Sequence, residues 1–184
     1  MIEKSWEKEG YTMRLSRIED AEEYYEHNFH PLDKETARLT GCKPEFSHDE
    51  VVDFFKQCVE AHDRYDFIVL SPQGSIIGES VINEIDEKLR CASFRICLFH
   101  SGSFGKGLGS WMIKNTLAFA FQELQLHRLE LEVFSFNPRA RRAYEKAGFR
   151  CEGILKDAVM DGDQYADTII MAILEDEWRD AHGR

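Results

Sequence analysis

The chain has 184 residues, 43% of them hydrophobic and 31% charged, which suits one globular domain spanning residues 1–184 with a substantial core. A net charge of −11 argues against nucleic acid as a partner and suits a cationic ligand or plain solubility. The five cysteines include no CxxC pair and the seven histidines no HExxH, so neither a disulfide framework nor a metal site is expected, and Cys97 reads as a small core residue. No apolar run is long enough to span a bilayer, and "MIEKSWEKEGY" lacks the apolar stretch of a signal peptide. No membrane role and a cytoplasmic address are therefore expected.

In chain order, "YTMRLSRI" (11–18) alternates as a half-buried strand does. "EDAEEYYEHNFH" (19–30) reads as a helix ended by Pro31, and a loop follows at 41–44. Ser47 and Glu50 form a capping box for a helix over 48–62, whose apolar face is expected to comprise Val51, Phe54, Phe55 and Cys58. From Tyr65 the period shortens. Strands are predicted over 65–71, 75–86 (with a bulge at Gly78) and 89–99. A long apolar helix (110–124) and an alternating strand (127–134) come next. Asn137 as cap, Pro138 at the first turn and Gly148 at the end bound a short helix. Two last strands meet at the hairpin "MDGD". The predicted order β-α-α-β-β-β-α-β-α-β-β defines an α/β fold, antiparallel early with a β-α-β crossover later.

The stretch "SFGKGLGS" (103–110) joins the third of the middle strands to the long helix, with glycines at 105, 107 and 109. Glycine permits positive φ and close approach, and a helix N-terminus presents unpaired N–H groups and a positive dipole end. Together they make a seat for an anion such as phosphate. Neither the dinucleotide fingerprint nor the P-loop fits, because Ser110 stands where the former needs its last glycine and Gly107 interrupts the latter. A ligand-free flexible turn is the plain alternative.

The strand end "FRICLF", the loop "FGKGLGS" and, after a helix and a strand, "FNPRARRAYEKAGFRCEG" together resemble the GNAT superfamily of acyl-CoA-dependent N-acyltransferases. The resemblance runs over about 11–178 and is strongest within 94–153, towards the bacterial ribosomal-protein and polyamine acetyltransferase branch. It implies a mixed, mostly antiparallel central sheet with helices on both faces. Phe104 replaces the usual Gln or Arg at the head of the loop, and Leu108 a common aromatic.

The resemblance further implies that acetyl-CoA is the cosubstrate, without a metal. The backbone of Gly105, Lys106, Gly107, Leu108, Gly109 and Ser110 would cradle its pyrophosphate. Cys97, Leu98 and Phe99 would pair with the pantetheine arm, near Asn137, and Arg139, Arg141 or Arg142 would reach the adenosine phosphate. Direct attack by an amine would pass through a tetrahedral oxyanion held by the N–H near Leu98, with Tyr144 protonating the leaving thiolate. A carboxylate or water chain must take the ammonium proton. Glu84, nearer its strand end, is the expected base, with Glu79 or water as alternatives; the two carboxylates alternate to opposite faces unless a bulge intervenes. The acid-rich segments 19–30 and 156–167 suit a polyamine, while a peptide N-terminus or another small amine would serve equally. A homodimer is a further expectation from the family. The competing readings are a non-catalytic acyl-CoA-binding regulatory module and a nucleotide-binding regulator.

Overall fold

The computed structural model describes residues 4–182. One eight-stranded sheet organises them, in the order β1-β2-β3-β4-β5-β6-β8-β7. Strands β1 (Ser5–Lys8), β2 (Tyr11–Leu15), β3 (Tyr65–Leu70), β4 (Ile76–Asp86) and β5 (Cys91–Leu98) pair antiparallel in sequence. β6 (Arg128–Phe134) lies parallel to β5, and β7 (Arg150–Asp161) and β8 (Gln164–Leu174) complete the sheet as an antiparallel hairpin. Helices α1 (Ala21–Asn28), α2 (Lys34–Thr40) and α3 (His48–Glu60) precede β3. Helix α4 (Leu108–Ala118) fills the β5–β6 crossover, α5 (Pro138–Ala147) follows β6, and α6 (Glu175–His182) ends the described chain.

Every predicted element is present, with three additions to the expected order. Strand β1 is too short to show a period in sequence and exists because it pairs with β2 through Ser5↔Arg14 to Lys8↔Tyr11. Helix α2 lacks an apolar stripe, yet Asp33 caps it, accepting from the Thr36 N–H at 2.9 Å, and Gly41 ends it at φ 68°. Helix α6 buries Trp178 against Phe121, with ring centroids 5.5 Å apart. The long helix changes to a π-turn over Phe119–Glu123, a detail of hydrogen bonding that periodicity does not reveal.

Two cores flank the sheet. On one face Met112, Ile113 and Leu117 of α4 pack with Phe67, Ile82, Phe94, Leu129 and Tyr144. On the other, Tyr24 and Tyr25 of α1 and Val51, Val52 and Phe55 of α3 cover Ile68, Ile76 and Phe99. Phe54, expected on the buried face of α3, is 55% exposed, while Val52, on the other flank of the stripe through Val51, Phe55 and Cys58, is buried. Ser80 and Thr116 exchange a hydroxyl hydrogen bond of 2.7 Å inside the α4 core, fixing the helix over β4.

The expected bulge in β4 is present, since Gly78 opposes Val69 while Ile76 opposes Leu70, leaving Ile77 as the extra residue beside Gly78. Gly78 itself serves close packing: a Cβ there would lie 2.6 Å from the Cys97 carbonyl oxygen and 2.9 Å from Leu98 Cδ2. Gly78→Ala is therefore expected to destabilise the protein by about 2 kcal/mol through forced separation of β4 from β5, read as a lowered urea midpoint with an unchanged m-value.

Candidate active site

The site starts from a fault in the sheet. β5 and β6 pair only through Cys91↔Arg128, Ala92↔Leu129 and Ser93↔Glu130, after which they part, although β6 stays paired with β8 as far as Phe134. From Phe94 onward, one edge of β5 is unpaired inside the sheet. Which groups point into the split follows from the antiparallel alternation with β4. The Phe99 N–H donates to the Ile77 carbonyl at 3.0 Å, so 77 and 99 are a hydrogen-bonded pair. The next pair, Gly78↔Leu98, is then non-hydrogen-bonded, and the N–H of Leu98 points away from β4 into the split.

Tyr144 of α5 stands against this edge. Its ring packs on Phe94 (centroids 6.2 Å apart) and Phe149 (5.7 Å), and it is 5% exposed. Burial, and secondarily the nearby Cys97, push its hydroxyl above the ordinary tyrosine range, so it holds its proton at neutral pH. Among the described residues no group hydrogen-bonds that hydroxyl. Asn137 caps α5, its Oδ1 accepting from the Ala140 N–H at 3.2 Å, and Pro138 and Gly148 bound the helix as expected.

The glycine loop lies at the same end of the sheet, because β5 and β6 are parallel and α4 and α5 each start where one of them ends. Gly105 and Gly107 have φ of 77° and 76°, which an L side chain rarely adopts, and a Cβ on Gly105 would meet no atom within 4 Å. Gly107 is the N-cap of α4 and supplies no side chain, and the first turn carries no acidic residue. The first intrahelical bond is from Trp111 N–H to the Gly107 carbonyl (3.1 Å), so the N–H groups of Leu108, Gly109 and Ser110 are left outside the helical ladder. An uncapped helix end beyond an open glycine turn fits a phosphate group. Leu108 is buried, while Lys106 and Ser110 are exposed. Gly109 has ordinary φ, and a Cβ there would make an ordinary contact with Ile96 Cδ1 at 3.7 Å, so the position has room for a methyl group.

Phe104, the apolar substitute at the head of the loop, carries a cation after all: the Arg139 guanidinium lies 3.7 Å from its ring centroid. That pairing escapes sequence reasoning because it joins two segments separated by a helix and a strand. Arg141 is tied to Glu145 at 2.8 Å, and Arg142 is exposed with no ion pair among the described residues.

The opposite face of β4–β5 carries an acidic group beside the end of β5. Glu79 opposes Cys97 in register, is 12% exposed, accepts from the Tyr24 hydroxyl at 2.7 Å and lies 3.4 Å from the Arg95 guanidinium. Burial and Glu79 together push the Tyr24 hydroxyl well up, so Tyr24 is the donor; burial likewise pushes up the Cys97 thiol. Glu84 lies elsewhere. The register slips between Asn83 and Asp86, Glu84 has φ 56°, and its exposed carboxylate accepts from Ser93 Oγ at 2.7 Å, towards the end of β4 remote from the glycine loop. Helix α2 spans the mouth of the split. Thr36 Oγ1 donates to the Phe99 carbonyl (3.0 Å), and Arg38 pairs with Asp161 of the β7–β8 hairpin (2.6 Å).

A mixed sheet that parts at one parallel pair, with a helix N-terminus and a buried tyrosine facing the parting, is the architecture of an acyl-CoA-dependent acyltransferase. A family model for the acetyltransferase (GNAT) domain matches residues 11–150, and the chain belongs to that family. It is 30% identical over 136 residues to the spermidine N(1)-acetyltransferase of Vibrio cholerae serotype O1, covering 74% of this chain and 78% of that protein. It is 27% identical over 97% of both chains to the SPbeta prophage-derived N-acetyltransferase YokL of Bacillus subtilis. The crystal structure of spermidine N-acetyltransferase from Vibrio cholerae in complex with CoA and spermine superposes with a TM-score of 0.81 at 27% identity, covering 93% of this chain and 99% of that one. The protein is an acetyl-CoA-dependent N-acetyltransferase that transfers an acetyl group to an amine.

Two glycine substitutions separate the roles in the loop. Gly105→Ala is expected to cost about 1 kcal/mol in stability from its left-handed backbone and to weaken CoA binding, since its Cβ enters the open space before the helix. Gly109→Ala is expected to leave CoA affinity unchanged without loss of stability, Ala being the better helix former. Calorimetric titration with CoA and thermal melting check both.

Proposed function

We propose that the chain acetylates a primary amine of a polyamine, with the Leu98 N–H, Tyr144 and Glu79 as its working groups. The observation that carries this reading is the open edge of β5, where the inward-pointing Leu98 N–H and the unpartnered Tyr144 hydroxyl border one split. Acetyl-CoA supplies an activated thioester carbonyl. The Leu98 N–H, pre-aimed and short of a strand partner, donates to the carbonyl oxygen as negative charge develops there. Tyr144, kept protonated by burial, gives its proton to the departing sulfur. Glu79, one residue from Leu98 in the β4–β5 register, takes the proton of the incoming ammonium directly or through water. This assignment is preferred to Glu84, whose carboxylate sits on the far side of a bulge and is engaged by Ser93.

The polyamine class is supported by the net charge of −11, by the acid-rich first helix beside Glu79, and by the spermidine acetyltransferases among the relatives. Assayed as thiol release from acetyl-CoA, spermidine and spermine are expected to exceed L-amino acids and short peptides in kcat/KM, with an advantage that shrinks as salt rises. A higher kcat/KM for an amino acid or an uncharged monoamine would sink the substrate assignment.

Tyr144→Phe is expected to lower kcat roughly 100-fold with little change in CoA affinity. Because burial raises the Tyr144 pKa, the proton is retained well above neutral pH, so no falling limb is expected in the wild-type kcat profile up to about pH 10. Glu79→Gln is expected to lower kcat about tenfold near neutrality and to recover as pH approaches about 10, where the amine arrives already deprotonated. A constant deficit across that range would assign the base elsewhere.

A further inference from the structure

Strand β1, absent from the expected order, brings a side chain to the cofactor loop. Its alternation turns Lys4, Trp6 and Lys8 towards α4 and its π-turn. The Lys4 ammonium pairs with Glu123 at 2.6 Å, at the carboxyl end of that helical stretch. The Trp6 ring meets Phe119 with centroids 6.3 Å apart. Lys8 is the next residue on this face, and its Nζ lies 3.5 Å from the Cβ position of Gly107, at the amino end of α4.

The two lysines sit in opposite electrostatic settings. Lys4 has a carboxylate and the negative end of a helix. Lys8 is half-buried at the positive end of α4 and has no hydrogen-bonding or ionic partner among the described residues. A cation beside uncapped helical N–H groups, in a chain with 34 acidic residues available to pair it, is an arrangement that suits an anion between them. The glycine turn leaves space there, since nothing lies within 4 Å of the Gly105 Cβ direction.

We propose that Lys8 is a ligand of the CoA pyrophosphate, a charged contact supplied from the N-terminal strand to a loop otherwise made of backbone. The inference rests on the acyl-CoA reading of the loop and adds a residue to it. Lys8 touches the cofactor far from the thioester, so it acts on binding and leaves the chemical step alone.

The test is calorimetric titration of wild type, Lys8→Met and Lys8→Arg with CoA, 3′-dephospho-CoA and pantetheine. Lys8→Met keeps the aliphatic stem over α4, and melting curves confirm that each variant is folded. Expected is a roughly fivefold weaker binding of both CoA and dephospho-CoA by Lys8→Met, unchanged pantetheine binding, and recovery in Lys8→Arg. Equal CoA affinity in Lys8→Met and wild type would overturn the inference while leaving the acyl-CoA site intact. A loss seen with CoA but not with dephospho-CoA would overturn the pyrophosphate assignment in favour of the 3′-phosphate. An equal loss with pantetheine would reduce Lys8 to a structural role. Absence of CoA binding by the wild type would overturn the inference together with the reading on which it rests.

Discussion

The parting of β5 from β6 after three residue pairs is the constraint on which the rest of this structure depends. An interior strand edge that stays unpaired leaves backbone N–H and C=O groups wanting partners, and a fold keeps such an edge only where something else satisfies it. Here an extended amide-bearing ligand arm can take the place of the missing neighbour. The edge is held open by bulk, because Phe94, Tyr144 and Phe149 pack together beside it. It is also held open by chain path, because β6 follows β8 as an antiparallel partner for its full length.

The parallel sense of that one strand pair fixes the chemistry at one end. Helices α4 and α5 both begin where β5 and β6 finish, so an uncapped helix end and an asparagine-capped one face the split together. Negative charge is favoured there, and the glycine turn removes the side chains that would otherwise occupy the space. Phe104 and Arg139 show that a polar head to the loop can be rebuilt from two residues, an aromatic platform and a cation lying on it.

On the other face, α1 and α3 set the environment of the acidic group. Tyr24 is buried among Phe29, Phe55 and Phe99 and spends its hydroxyl on Glu79. The carboxylate is thereby held between Tyr24 and Arg95, which balances its charge. Gly78 allows β4 to approach β5 closely enough for this register. The Tyr24–Glu79 pair and the open edge of β5 are thus joined through one strand pair.

Local chemistry made much of this legible in the sequence. The capping box at Ser47 and Glu50, the Asn137–Pro138 start and Gly148 end of α5, the positive-φ glycines and the two-residue hairpin turn depend on neighbours a few residues away, and all were readable from residue type and spacing. The open loop before α4 was readable for the same reason, whereas Tyr144 was singled out through the family resemblance. Strand β1 and helix α2 were not, since one is four residues of half-exposed ribbon and the other has no apolar stripe; each exists through its tertiary contacts. The choice between Glu79 and Glu84 was likewise beyond periodicity, because a bulge whose location depends on pairing with β5 decides which carboxylate meets α1. Lys8 and Arg139 came to the loop only through the path of the folded chain. The sequence by itself determined most of the elements and the glycine turn before α4, which are short-range matters of backbone freedom and helix ends. Tertiary structure alone decided which strands part, which carboxylate meets α1 and which distant cations lie beside the glycine loop, because those depend on pairing between segments whose separation along the chain carries no local signal.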